Sequence, residues 1–345
     1  MTRGRHKEER NVMKAVIMDK PGGPEVLHLA DRPDPAISTP TQILVRLKAA
    51  GINPVDTKLR ANGTYYPDRL PAVLGCDGAG VVEAVGDAVT RFAPGDAVYF
   101  CNGGIGGEPG NYAELTVVEE AYAARKPAAL GFEQAAAAPL ALITAWESLH
   151  DRARVQAGQR VLVHAGSGGV GHLAVQLAHL AGAHVASTVG DRERADWLRS
   201  LGVEYPIVYK QTDFVDAVQD WSGGTGVALA LDSVGGDTFA RTFQAMAHYG
   251  DLVTLLQPGS DVDWKPARLR NLRIALELML TPQHYDLRDA RRHQREILEN
   301  GARLFEEGHL KIAVQEIYPL ERAADAHRDI AGGSARGKRV LAISD

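Results

Sequence analysis

The chain has 345 residues, long enough for two modest domains and a core that needs no covalent staples. Hydrophobic residues make up 45% and charged residues 23%, which excludes a disordered or fibrous class. The formal charge of −5 carries no basic stripe, so nucleic acid and an anionic membrane are both disfavoured as main partners.

Met1–Val12 is charged and lacks an apolar block, and it reads as a polar tail rather than a secretory signal. Lys14–Met18, Ile43–Leu47, Gly80–Gly86 and Gly95–Phe100 are short β runs separated by turn residues such as Pro21-Gly22-Gly23-Pro24. They predict a compact, irregular barrel. Cys101–Gly110, with five glycines and one proline, is expected to be a surface loop. An Ala-rich helical segment follows Gly131 and runs through Leu149.

Strand and helix then alternate. Arg160–Ala165, His184–Val189, Val227–Leu231 and Leu252–Leu256 read as strands, and Val170–Ala181 and Glu193–Leu201 as helices. This pattern predicts an α/β doubly wound parallel sheet. After Leu280 one long charged helix and a final strand, Lys338–Ile343, are expected. No run of about 18 apolar residues marks a spanning helix. Two cysteines, Cys76 and Cys101, fit a reducing, cytoplasmic compartment.

The chemistry concentrates in Gly166-Ser167-Gly168-Gly169-Val170-Gly171, which follows a strand and opens an amphipathic helix. In that setting G-x-G-x-x-G is a dinucleotide site. Gly166 permits the turn, Gly168 lets backbone approach a pyrophosphate, and Gly171 lets helix and strand pack closely. Free amides and the helix dipole at Gly169-Val170 favour the anion. At the end of the second strand, where an NAD site places a carboxylate, stands Thr188-Val189-Gly190. Arg192 and Arg194 follow, and an arginine fork suits a 2′-phosphate, so NADPH is favoured over NADH. Asp191 either caps the next helix or faces a ribose.

These residues extend to a wider resemblance. Gly22–Leu27, Gly51-Ile52-Asn53-Pro54-Val55-Asp56, Gly75–Val82 and His164–Ala181 resemble the zinc-independent quinone oxidoreductases of the medium-chain dehydrogenase/reductase superfamily. The resemblance runs from Met13 to the C-terminus. It implies a GroES-like β-barrel catalytic domain over 13–135, a Rossmann domain over 136–280, and a return to the catalytic domain over 281–345. It implies NADPH in the cleft between them, a small-molecule quinone or conjugated carbonyl as acceptor, and a homodimer. By position it assigns Arg194 and Tyr209 to the 2′-phosphate, and Ser233 and Val234 to the loop passing the nicotinamide ribose. Thr144 is assigned to the linking helix that faces the nicotinamide. Asn53 and the Thr64-Tyr65 pair are assigned to the nicotinamide and substrate pocket. The Asn62–Tyr66 loop is one residue longer than the family pattern, which leaves Tyr65 and Tyr66 as alternative pocket residues.

The zinc-dependent relatives need three protein ligands and an open position. Asn53, Cys76 and the apolar Leu140–Ala145 stand there instead, and two cysteines exclude a four-cysteine structural lobe. No metal is expected, and the two thiols read as small buried groups. Among the twelve histidines, His164 and His172 read as structural, and His284, His293 and His309 as solvated.

Without a Lewis acid, hydride transfer suits a quinone or conjugated carbonyl better than an alcohol. The protein then positions the reactants and stabilises charge. Tyr65, with Tyr66 as alternate, is the expected hydrogen-bond donor, and Asn53 orients substrate or cofactor. A 2-alkenal or enone reductase, a non-catalytic NADPH-binding protein and a zinc alcohol dehydrogenase are the competing readings.

Overall fold

The computed structural model describes residues 12–333 and 336–343. The tail expected over Met1–Val12 lies outside the described residues except for Val12, which opens the first strand. Strands β1 (Val12–Met18) and β2 (Leu27–Pro33) pair antiparallel. The long β3 (Gln42–Ile52) is the spine of this half: Ile43, Val45 and Leu47 alternate inward and are fully buried. Helix α1 (Pro54–Asn62) follows at once, with proline tolerated at its first position because that N–H would be unpaired anyway. Four β segments, β4 (Ala72–Val73), β5 (Asp77–Val85), β6 (Ala97–Cys101) and β7 (Leu115–Glu119), lead to the short β8 (Ala124–Arg125).

The loop between β6 and β7 corrects an expectation. Asn102 to Gly106 are buried rather than on the surface. A Cβ at Gly103 would lie 2.0 Å from the Pro109 carbonyl, and one at Gly110 2.3 Å from that of Leu74. Glycine here serves backbone-on-backbone packing, which composition cannot distinguish from solvent exposure.

The Ala-rich segment forms two helices, α2 (Phe132–Ala137) and α3 (Pro139–Trp146), because Pro139 has no N–H to continue the first. Helix α3 runs into a π-helical turn over Glu147–Arg152. Then β9 (Arg160–Val163), α4 (Gly171–Leu180), β10 (His184–Val189) and α5 (Arg192–Arg199) build the glycine-loop unit. They continue into β11 (Tyr205–Val208), α6 (Phe214–Ser222), β12 (Val227–Asp232), α7 (Gly236–Ala245) and β13 (Met246–Thr254). Helix α8 (Lys265–Leu269) and β14 (Arg273–Leu276) close the unit. The sheet order is β11-β10-β9-β12-β13-β14, every adjacent pair parallel. Val161, Leu162 and Val163 are all fully buried, as a strand covered on both faces requires. The two edge strands escape sequence reading because each has four residues and includes Pro206 or Arg273.

The C-terminal part holds α9 (Thr281–His284), the long α10 (Arg288–Glu306), β15 (Val314–Pro319), α11 (Ala323–Ala331) and β16 (Lys338–Ala342). Helices α9 and α11 and strand β15 are additions to the single helix and final strand expected. Strand β16 pairs parallel with β15 and antiparallel with β3, giving a seven-stranded sheet ordered β15-β16-β3-β5-β6-β8, with β7 also on β3. The last strand therefore lies on the spine of the first half.

Candidate active site

The glycine loop bridges β9 and α4. A Cβ on Gly166 would meet Ser187 Oγ of β10 at 1.9 Å, and one on Gly171 would meet the Ala165 carbonyl at 2.3 Å. Both positions are closed to any side chain. Gly168 faces only the Ala165 carbonyl, at 3.2 Å, and otherwise opens on a cleft. His172 donates from Nδ1 to the Gly168 carbonyl at 2.8 Å, and its Nε2 accepts from Ala313 N at 3.3 Å. Burial holds this imidazole down to about 4, so it is neutral at pH 7 and ties the loop to the C-terminal part. His164 is likewise buried and lowered to about 4, between Thr188 and Thr242 hydroxyls.

The cleft has a volume of about 350 Å³. It gathers Asn53, Thr144, Gly168 to Gly171 and Ser233 from four separate stretches of chain. Thr144 donates its hydroxyl proton to the Leu140 carbonyl at 2.7 Å, which leaves oxygen lone pairs for a ligand. Ser167, within the loop, is buried off the cleft wall, and its carbonyl accepts from Gly337 N at 2.8 Å. Tyr209 and Val234 line a second groove of about 300 Å³ on the other side of Ala165.

At the end of β10, a Cβ on Gly190 would lie 3.2 Å from Arg194 Nη1 and 3.7 Å from the Tyr209 hydroxyl. These two donors thus converge over a residue with no side chain. Asp191 resolves as a helix cap: its Oδ1 accepts from Arg194 N at 2.9 Å, and its Oδ2 sits 3.1 Å from Arg194 Nη1. Arg336 reaches the same helix, 3.2 Å from Glu193 and with its guanidinium 4.8 Å from the Trp197 ring centroid. Sequence reading missed Arg336 because nothing local links it to α5.

The catalytic-half wall is a buried polar cluster. Asn53 donates from Nδ2 to Asp77 Oδ2 at 2.9 Å, and its Oδ1 accepts from Lys338 Nζ. Lys338 also lies 3.5 Å from Asp77, whose other oxygen accepts from Leu140 N at 2.8 Å. Burial raises the Asp77 carboxyl and Lys338 draws it back down. Asp56 accepts from Asn53 N at 2.7 Å and from the Tyr112 hydroxyl at 3.2 Å, and burial pushes its carboxyl up to about 7. Lys338, a cleft-wall residue, had no signal in sequence beyond a final strand; only the pairing of β16 with β3 places it here. Burial pushes the Cys76 and Cys101 thiols well up, so both stay protonated.

Tyr65 and Tyr66 are not on the cleft wall. Both rings pack on His284, with centroids 4.8 and 5.7 Å away, and the Tyr66 hydroxyl donates to the His284 carbonyl at 3.0 Å. His284 is therefore half-buried in an aromatic cluster rather than solvated as expected.

Residues 39–128 match the Alcohol dehydrogenase GroES-like domain family, and 201–341 the Zinc-binding dehydrogenase family. The human protein named quinone oxidoreductase is 31% identical over 339 residues, covering 97% of this chain and 99% of its own. The chain belongs to the quinone oxidoreductase family of medium-chain dehydrogenases/reductases. This medium-chain reductase also superposes on a solved Escherichia coli quinone oxidoreductase complexed with NADPH. The TM-score is 0.84 at 30% identity, over 95% of this chain and 99% of that one. A structure described as an NAD-dependent alcohol dehydrogenase superposes with a TM-score of 0.86 at 33% identity, over 96% and 100%. The GroES-like half and the parallel-sheet half of the reductase are thus both shown. Among the described residues of the reductase, no group of three or more His, Cys, Asp or Glu is placed to hold a metal ion.

Proposed function

We propose that this reductase transfers hydride from NADPH to a quinone or similar conjugated carbonyl without a metal. The observation that carries this reading is Lys338, whose ammonium sits between Asn53 and Asp77 on the cleft wall. Asn53 and Cys76 stand where the resemblance puts zinc ligands, and the nearest carboxylate is already neutralised by a cation of the chain. A fixed ammonium favours charge developing on a carbonyl oxygen but gives an alcohol no Lewis acid.

The residues fit the cofactor. Gly168 to Gly171 leave backbone open to a pyrophosphate, Ser233 and Thr144 offer hydroxyls along the cleft, and Arg194 with Tyr209 frames a pocket for the 2′-phosphate. The bound dihydronicotinamide would supply the hydride. Asn53, locked by Asp77 and Lys338, orients what lies against it. Tyr65 serves as a hydrogen-bond donor to substrate from outside the cleft wall, and Tyr66, the alternate, does so only by giving up its hydrogen bond to the His284 carbonyl. Burial raises the Tyr65 phenol above its usual range, so it donates a hydrogen bond without giving up its proton. A homodimer fits the exposed Leu276, Leu278, Leu269 and Tyr249 along and beside the edge strand β14. No helix among the described residues is long and apolar enough to cross a membrane; a cytoplasmic place is part of this proposal.

Oxidation of NADPH and NADH, followed against quinone, enone, 2-alkenal and aldehyde panels, tests the reading. Quinone turnover with NADPH preferred is expected. Turnover confined to 2-alkenals would install the enone reductase, and stoichiometric NADPH binding with no turnover would install a binding protein. Full turnover by both Tyr65→Phe and Tyr66→Phe would end the donor role of that pair.

A further inference from the structure

Three of the loop glycines are accounted for: Gly166 and Gly171 let the loop pack against strand and helix, and Gly168 opens on the cleft. Gly169 is not explained that way. Its φ lies outside the left-handed region, so its backbone would accept a side chain. A Cβ there would meet one side chain, that of Lys338, with Cδ at 2.9 Å and Cγ at 3.7 Å; beyond it lies only the Gly337 carbonyl at 3.8 Å. Glycine at 169 makes room for the lysine stem.

Lys338 crosses from one wall to the other. Gly337 N donates to the Ser167 carbonyl and Lys338 N to the Ala313 carbonyl, each at 2.8 Å, so the backbone is pinned on both sides. The stem lies on Gly169, and the ammonium donates to Asn53 Oδ1 and sits 3.5 Å from Asp77 Oδ2. The side chain is buried along this whole path. With both ends held, the stem cannot yield to a group at Gly169 without drawing the ammonium away from Asn53.

We propose that Lys338 is a positioning residue that holds the cofactor loop in register with Asn53, and that Gly169 is the space made for it. This inference rests on the reductase reading above and adds a steric role to the charge of Lys338. Backbone at Gly168 to Gly171 fixes where a dinucleotide lies, and Asn53 orients what lies against the facing wall. One side chain touches both and so sets their separation. Separation acts on the rate of hydride transfer more than on affinity, since a misplacement of about 1 Å costs about 100-fold in rate. A charge alone would need only the ammonium; register needs the length of the four-carbon stem.

Gly169→Ala tests the role, because it keeps every partner of the ammonium and pushes on the stem alone; thermal melting confirms folding. In the cofactor-free protein, two-dimensional NMR should show the Asn53 side-chain amide resonance shifted by this methyl on the opposite wall. Single-turnover hydride transfer at saturating NADPH should slow by about 100-fold. A rate loss that more NADPH restores would mean that the methyl merely hinders the phosphate, and would overturn the role. Lys338→Ala removes the stem, so Gly169→Ala added to it should cost no further rate; a second full loss would overturn the coupling. The Asn53 resonance and the rate of Gly169→Ala decide the matter even where Lys338→Ala does not fold. An unmoved Asn53 resonance in a protein that turns over would overturn the positioning role alone. A wild type that reduces no acceptor would overturn the reductase reading and this role together.

Discussion

The two walls of the cleft are built by opposite means. The glycine-loop wall works by what it leaves out: Gly166 and Gly171 let loop, strand and helix pack backbone on backbone, and Gly168 leaves its backbone open on the cleft, while Gly190 beyond it clears the space beside Arg194 and Tyr209. The facing wall works by what it buries: Asn53, Asp56, Asp77 and Lys338 are all nine-tenths or more inaccessible and hold one another in place. The first kind of wall tolerates loss of one exposed charge, because water replaces it. The second does not, because an orphaned charge in a dry site has nothing to pair with.

This contrast can be broken by measurement, and the largest effect should fall on the buried wall. Lys338→Met leaves Asp77 and Asn53 without their cation and should destabilise the protein by about 3–5 kcal/mol in urea unfolding. A loss below about 1 kcal/mol would mean that Asp77 is already neutral. Next comes pH. His164 and His172 have folded values near 4 against about 6.5 unfolded, so the unfolded chain takes up protons first on acidification. Their stabilisation is complete above pH 6.5 and is lost as pH falls towards 4. For His172 it is worth on the order of 3 kcal/mol, readable as a stability slope that His172→Gln reduces.

On the open wall, Arg194→Ala should weaken NADPH by about 2 kcal/mol, roughly 30-fold, while leaving NADH nearly unchanged. Equal losses for both cofactors would show that Arg194 holds the fold of the loop rather than a phosphate. The smallest effect is expected from Asp191→Ala, about 1 kcal/mol of stability through the lost cap. If that variant instead lost NADH turnover, the carboxylate would have been facing the ribose.

Much of the first wall was legible in sequence because its determinants are local. G-x-G-x-x-G, the strand before it and the helix after it lie within one βαβ unit, and Gly190 and Arg194 follow at the next strand end. Apolar runs such as Val161–Val163 announced the parallel sheet for the same reason: periodicity is a property of neighbouring residues. The Cys101–Gly110 loop misled because glycine content reports backbone freedom, not whether the freed backbone meets water or another backbone. His284 misled because a charged stretch of sequence says nothing about the two tyrosines, more than 200 positions earlier, that receive it.

By itself the sequence determined the class of ligand, a dinucleotide, and the family-level architecture, since both follow from short-range spacing of glycine, apolar and turn residues. Only tertiary structure decided the chemistry of the opposite wall. Lys338 reaches Asn53 across 285 positions because β16 pairs with β3, and Arg152 of the turn after α3 pairs with Glu277 just past β14. Such charges signal nothing locally. Their meaning comes from desolvation and from the partner beside them, and both exist only once the chain has folded.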